Sequence, residues 1–210
     1  MNKFGDLSCK EFLTELASAA PAPGGGGGAA MAGALAAALA SMVANLTIGK
    51  EKFAEREPEV KELLKQAEAE RVRLLQLADD DAAVFNSFMS CYKLPKTTDE
   101  EKAARTAAIR AAAKQAATVP LNIARTSFAV LKLADRLVVS GNPGVITDGA
   151  CSGLLARAAL RCAEYNVRIN LGLTKDEEWN AQVAADLKQL LADAEALETR
   201  LLAVTDKALQ

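Results

Sequence analysis

The sequence contains no histidine among its 210 residues. This absence excludes a Ser–His or Cys–His nucleophile pair, a histidine-ligated metal ion and an imidazole proton shuttle. Any acid–base chemistry must therefore come from carboxylates, lysine, tyrosine, cysteine or water.

Cysteine is also scarce. The four cysteines form no close pair and are Cys9, Cys91, Cys151 and Cys162. Neither a zinc knuckle nor a redox motif is therefore predicted, and we expect no metal site. The N-terminal residues carry several charges before any apolar run, which is not the pattern of a signal peptide. A cytoplasmic protein with reduced thiols is the prediction.

Aromatic residues make up only 4% of the chain, although half of all residues are hydrophobic. Such a composition predicts a core of closely approaching helices. The 27 acidic and 25 basic side chains leave a net charge of −2, so no nucleic-acid partner is expected. The length suits one domain, which we predict to span residues 1–210.

The most distinctive stretch runs from Pro21 to Lys50 and reads PAPGGGGGAAMAGALAAALASMVANLTIGK. A glycine loop at Gly24–Gly28 would let a ligand reach the free N–H groups of the following helix. A flexible connection is the competing interpretation of the glycines. The alanine-rich run is too weakly apolar for a membrane span, so no membrane partner is predicted. We expect a helix that is buried on every side.

The rest of the chain shows helical periodicity, and no strand is predicted. Two capping-box patterns mark expected helix starts at Ser8/Glu11 and Thr174/Glu177. Pro120 predicts a kink or a break near Val119. The fold class is therefore an all-α bundle of about six helices. Some are long enough to pack on a second copy, which predicts a homodimer.

Polar side chains on predicted inner faces are the candidate functional residues, because their burial is costly unless something binds them. Asp81 lies beside the apolar face of the long third helix, where a solvated acidic patch is the alternative. Lys50 is the first charge after the alanine-rich run, and a cation is also favoured there by the helix dipole.

The predicted fifth helix carries a polar edge formed by Asp148, Asn166 and Asn170. Asp148 precedes Asn166 by 18 residues, which is five turns at about 3.6 residues per turn. This edge is typical of the wall of a binding site. Helix capping is the competing explanation for Asp148, and buried amides that pair with each other are the alternative for the asparagines.

Several segments together resemble the formiminotransferase-cyclodeaminase family along the whole chain. They are the glycine–alanine stretch at 21–50, DDDAAVF, KLPKTTDEEKAAR, TVPL, GNPGVITD and YNVRINL. The resemblance implies a helical, dimeric protein that binds folate in a cleft formed with the glycines. It implies no cofactor beyond the tetrahydrofolate substrate.

The resemblance also implies site residues. Those expected to take part in the chemistry are Lys50, Asp81 and Asp148. Those expected to bind the substrate are Gly24, Gly25, Gly26, Asn142, Asn166 and Asn170, and Pro120 belongs to the same pattern. The family pattern has three glycines where this chain has five, so the register of the glycines is open.

Two reactions follow from the resemblance. One is hydrolysis of 5,10-methenyltetrahydrofolate to 10-formyltetrahydrofolate, and the other is release of ammonia from 5-formiminotetrahydrofolate. No formiminotransferase segment precedes the chain, which favours the hydrolysis. A folate-binding protein without activity is the third interpretation.

Overall fold

The computed structural model describes residues 3–210, and these form six α-helices without a strand. The helices are α1 (Cys9–Leu16), α2 (Gly24–Asn45), α3 (Glu57–Cys91), α4 (Asp99–Ser140), α5 (Ile146–Thr174) and α6 (Glu177–Ala208). Short 3₁₀ turns lie at Phe4–Asp6, Glu51–Arg56 and Pro143–Val145. The predicted all-α bundle of about six helices is confirmed.

Helix α2 is the central element, and α3, α4 and α5 all pack against it. Its small side chains allow this close approach. A Cβ atom added at Gly33 would lie 3.0 Å from both Leu74 of α3 and Ser127 of α4. Ser152 of α5 donates a buried hydrogen bond of 2.7 Å to the carbonyl of Ala36. The alanine-rich sequence therefore builds the centre of the bundle.

One face of α2 is nevertheless exposed, so the expectation of burial on every side is wrong for the single chain. Leu35 is 57% exposed and Met42 is 43% exposed. By length and composition α2 is also apolar enough to cross a membrane, but 61% of its most apolar window is buried inside the bundle. The exposed face needs another explanation.

Two helix starts were predicted as capping boxes, and one is correct. Ser8 and Glu11 bond each other's backbone N–H groups at the start of α1. The second prediction is wrong, because α5 continues through Thr174. Asp176 instead caps α6 by accepting a hydrogen bond from the N–H of Trp179.

Of the predicted kink or break at Pro120, the break does not occur, because helix α4 continues through this residue. Proline removes the N–H that would bond the carbonyl four residues earlier, which is that of Ala116. The side-chain Nδ2 of Asn170 donates to this carbonyl at 2.8 Å and takes the place of the missing N–H. A side chain of α5 thereby satisfies the acceptor that Pro120 leaves free in α4.

Candidate active site

The first turn of α2 meets α3 with no side chain between them. A Cβ atom added at Gly26 would lie 2.3 Å from Oδ2 of Asp81. Glycine is therefore the residue that leaves room for this carboxylate. The prediction of a glycine loop is wrong, because Gly24 already begins the helix. The first N–H groups of a helix have no acceptor within it, so helical glycines still present free donors beside Asp81.

The environment of Asp81 favours its protonated form. Burial raises the pKa of this carboxyl from 3.8 to about 6, and the backbone N–H of Gly27 partly offsets the rise. The adjacent acids differ: Asp79 accepts a hydrogen bond from the N–H of Phe4 at 2.7 Å, and Asp80 pairs with Gln76. Only Asp81 of the three points into the cavity described next.

A small cavity of about 90 Å³ lies between α3, α4 and α5, beside the start of α2. Its lining residues are Asp81, Phe85, Phe88, Ala116, Pro120, Asn166 and Asn170. Asn166 also approaches α2, since a Cβ atom at Gly25 would lie 3.4 Å from its Nδ2. The structure thus brings together the predicted residues Gly25, Gly26, Asp81, Asn166 and Asn170, with Gly24 on the same helix start.

The two asparagines use their donors within the fold. Asn166 donates through Nδ2 to the carbonyl of Cys162 at 2.9 Å. Asn170 donates through Nδ2 to the carbonyls of Ala116 and Asn166, both at 2.8 Å. Their Oδ1 atoms accept no hydrogen bond from the described residues. Together with Asp81, these oxygens give the cavity a wall of acceptors.

The remaining predicted residues lie at the other end of α2. Asn142 donates its backbone N–H to Thr47 at 2.8 Å and its side-chain Nδ2 to the carbonyl of Leu46. Lys50 follows this helix end and is exposed. Asp148 is half-buried in the first turn of α5. Since α2 has 22 residues, about 30 Å separates this group from Asp81 within one chain.

The aromatic walls of the cavity were missed by the sequence analysis. Phe85 and Phe88 follow Asp81 at four and seven residues along α3, so all three lie on one face of the helix. That spacing was the available signal. The sequence analysis named neither ring as a site residue, whereas both line the cavity beside the carboxylate.

The fold and site define an all-helical protein with a half-buried carboxylate at a glycine-rich helix start. A family described as formiminotransferase-cyclodeaminase matches residues 8–189. A methenyltetrahydrofolate cyclohydrolase of Methylorubrum extorquens is 45% identical over 197 residues, covering 94% of this chain and 95% of that protein. The chain belongs to the formiminotransferase-cyclodeaminase family.

Two further relatives extend the comparison. The formimidoyltransferase-cyclodeaminase of Sus scrofa is 33% identical over 185 residues, and the match covers 88% of this chain but only 34% of that longer protein. The crystal structure of formiminotetrahydrofolate cyclodeaminase from Thermotoga maritima superposes with a TM-score of 0.88 at 30% identity, covering 98% of both chains. The six-helix fold is therefore shared with a solved member of the family.

Proposed function

We propose that this enzyme hydrolyses 5,10-methenyltetrahydrofolate to 10-formyltetrahydrofolate. The cyclohydrolase relative supports this reaction, because it is 45% identical and aligned over 95% of its own length. The observation that carries the proposal is the acceptor wall formed by Asp81, Asn166 and Asn170. The methenyl carbon shares a positive charge with its two nitrogens, and a wall of oxygen acceptors stabilises such a cation.

Asp81 is proposed as the proton-transfer group. In its ionised form it takes a proton from water as the water oxygen bonds to the methenyl carbon. It then gives this proton to N5 as the C–N5 bond breaks. The new hydroxyl loses its own proton to solvent and becomes the formyl carbonyl on N10, so the reaction releases one proton overall. A pKa of about 6 suits a group that both accepts and donates near neutral pH.

The start of α2 is proposed to bind the oxygen of the intermediate. Free N–H groups and the positive end of the helix dipole favour developing negative charge. Gly24, Gly25 and Gly26 provide this surface without side chains. In this proposal the chain uses its own carboxylate, amides and backbone donors with water, and no cofactor or metal ion takes part.

Formiminotetrahydrofolate cyclodeaminase activity is the second candidate. It is favoured by the Thermotoga maritima protein, which shares the fold over 98% of this chain. N10 would bond to the amidine-like carbon of the formimino group beside the same acceptor wall. Asp81 would pass the N10 proton to the terminal nitrogen, which takes one further proton from solvent and leaves as ammonia when its bond to the carbon breaks. The greater identity to the cyclohydrolase places hydrolysis first.

We further propose that the active protein is a homodimer formed through α2 and α5. The exposed face of α2 carries Leu35 and Met42, Leu46 follows the last residue of this helix, and α5 adds Leu154 and Ile169. An apolar surface of this kind is typical of an interface between subunits. The cavity in one chain is also too small for a folate, because ligand sites usually enclose about 300 Å³ or more.

A two-fold axis perpendicular to α2 would complete this site. It would place the end of α2 in one subunit beside the start of α2 in the other. Lys50 and Asp148 of the partner would then approach Asp81, although about 30 Å separates them within one chain. We propose that Lys50 contributes a cation and Asp148 a carboxylate across the interface. In this proposal Asn142 fixes the backbone that carries Lys50 and Asp148 through its hydrogen bonds to Thr47 and Leu46.

The localisation proposed for this dimer is the cytoplasm. The four cysteines are unpaired, and Cys9, Cys151 and Cys162 are exposed. Exposed free thiols are typical of proteins from reducing compartments.

The experiment that tests the function compares two substrates. The purified protein is given 5,10-methenyltetrahydrofolate, and its consumption is followed by near-ultraviolet absorbance against the spontaneous rate. A second reaction contains 5-formiminotetrahydrofolate and is assayed for ammonia. We expect accelerated loss of the methenyl compound. Ammonia release without that acceleration would instead assign the deaminase, and neither activity would contradict both.

A further inference from the structure

Four residues form a continuous stripe that begins at the proposed catalytic group in α3 and ends at Tyr92, the residue that follows this helix. They are Asp81, Phe85, Phe88 and Tyr92, separated by four, three and four positions. This spacing keeps side chains on one face of a helix. The rings of Phe88 and Tyr92 meet edge to face, with centroids 5.3 Å apart. An aromatic surface therefore extends from the cavity towards the end of α3.

Arg105 of α4 lies at the far end of this stripe. Its guanidinium carbon is 5.5 Å from the centre of the Tyr92 ring, and one NH2 group donates to the Tyr92 carbonyl at 3.2 Å. Arg105 forms no salt bridge with any carboxylate in residues 3–210. Its Nε–H is buried and has no hydrogen-bond partner among the same residues. An arginine whose side chain is fixed by other contacts, and whose Nε–H has no hydrogen-bond partner, is suited to binding an anion.

The separation between the two ends is set by both helices. Asp81 of α3 and Tyr92, the residue just after that helix, are 11 residues apart, and Arg105 and the cavity residue Ala116 are 11 residues apart in α4. Eleven residues correspond to about 16 Å of helix. The stripe thus has a carboxylate that favours a cation at one end and an arginine that favours an anion at the other.

We propose that Arg105 binds the glutamate carboxylate of the folate substrate, while Phe88 and Tyr92 contact its aromatic ring. This inference rests on the proposed function. In a folate the one-carbon group is bonded to N10, and N10 carries a benzoyl ring that leads to a glutamate with two carboxylates. Bond lengths place the first carboxylate on the order of 10 Å from the reacting carbon, and the arginine side chain spans the remainder.

The test compares substrates with and without glutamate. The parent, Arg105→Gln and Arg110→Gln are assayed with 5,10-methenyltetrahydrofolate and with 5,10-methenyltetrahydropteroate, which ends at the benzoate. Arg110 is an exposed residue of the same helix that forms no salt bridge within residues 3–210, so it is the matched control. We expect Arg105→Gln to raise KM for the folate about tenfold or more. KM for the pteroate should change less than twofold, and Arg110→Gln should change neither.

The same experiment separates this role from a structural one. If Arg105 only holds the end of α3, its replacement will alter both substrates alike, and that result would overturn the inference. If Arg105→Gln does not fold, the KM values of the parent protein for the two substrates provide the test. Equal values would also overturn the inference. A folded parent that accelerates neither substrate would instead contradict the proposed function.

Discussion

At the scale of the residue, Gly26 decides whether Asp81 can occupy its position. The space that a Cβ atom would need is filled by the carboxylate, with a separation of 2.3 Å from Oδ2. Gly28, half a turn further along α2, has only Leu16 near the equivalent position, at 3.9 Å. The two glycines have the same helical context and different neighbours.

Gly26→Ala should therefore reduce turnover strongly, whereas Gly28→Ala should not. Both substitutions gain helix propensity, worth about 1 kcal/mol, so a loss confined to the first variant cannot come from a weaker helix. We expect Gly26→Ala to lower kcat by about a hundredfold, since Asp81 is displaced from its proton-transfer position. Steady-state kinetics with circular dichroism as a folding control measures this. Equal activities for the two variants would contradict the assignment of Gly26.

At the scale of the element, Pro120 and Asn170 form one unit across α4 and α5. The amide of Asn170 bonds the Ala116 carbonyl, which Pro120 leaves without its usual partner. Loss of the amide should cost about 1–3 kcal/mol of unfolding free energy, because the carbonyl is then unsatisfied. Restoring a backbone N–H at position 120 should reduce that cost.

A double-mutant cycle measures this coupling. Asn170→Leu is compared in the parent and in Pro120→Ala by urea unfolding. We expect the destabilisation by Asn170→Leu to be smaller by about 1 kcal/mol in the Pro120→Ala background. Additive effects would show that Asn170 does not replace the missing N–H.

The helices could be predicted where residues close together in the sequence determine where they begin and end. The sequence periodicity predicted six helices, and Ser8 with Glu11 marked the start of α1. The errors arose where distant residues decide the outcome. A glycine loop was predicted because the sequence does not show what packs against Gly26. That neighbour is the carboxylate of Asp81, which is 55 positions away in the chain. A kink or a break was predicted at Pro120 because the sequence does not show that Asn170, on another helix, bonds the carbonyl that proline leaves free.

At the scale of the whole molecule, the candidate residues divide into two groups at opposite ends of α2. The sequence could propose the members of both groups but not their separation, because distance along the fold depends on how the helices pack. Gly25, Gly26, Asp81, Asn166 and Asn170 adjoin the cavity. Lys50, Asn142 and Asp148 do not, which is the reason for our proposal that a second subunit completes the site.

Mixing two inactive variants tests the shared site. Asp81→Asn and Lys50→Met are unfolded together in equal amounts and refolded. Half of the dimers are then mixed, and one of the two sites in each mixed dimer is intact, so about a quarter of the parental activity should return. In the control, Asp81→Asn is mixed with Asn166→Ala, which alters the same end of α2, and no recovery is expected. Absence of recovery in both mixtures would place Lys50 outside the partner's site.

The most direct test of the central claim is the rate of methenyltetrahydrofolate hydrolysis by Asp81→Asn. Asparagine keeps the size of the side chain and removes its proton transfer. Asp80→Asn is the matched control, since Asp80 is the adjacent acid and pairs with Gln76. We predict that Asp81→Asn lowers kcat by about a hundredfold or more while the folate still binds, and that Asp80→Asn retains parental turnover. Parental turnover by Asp81→Asn, after correction for the spontaneous reaction, would contradict the account.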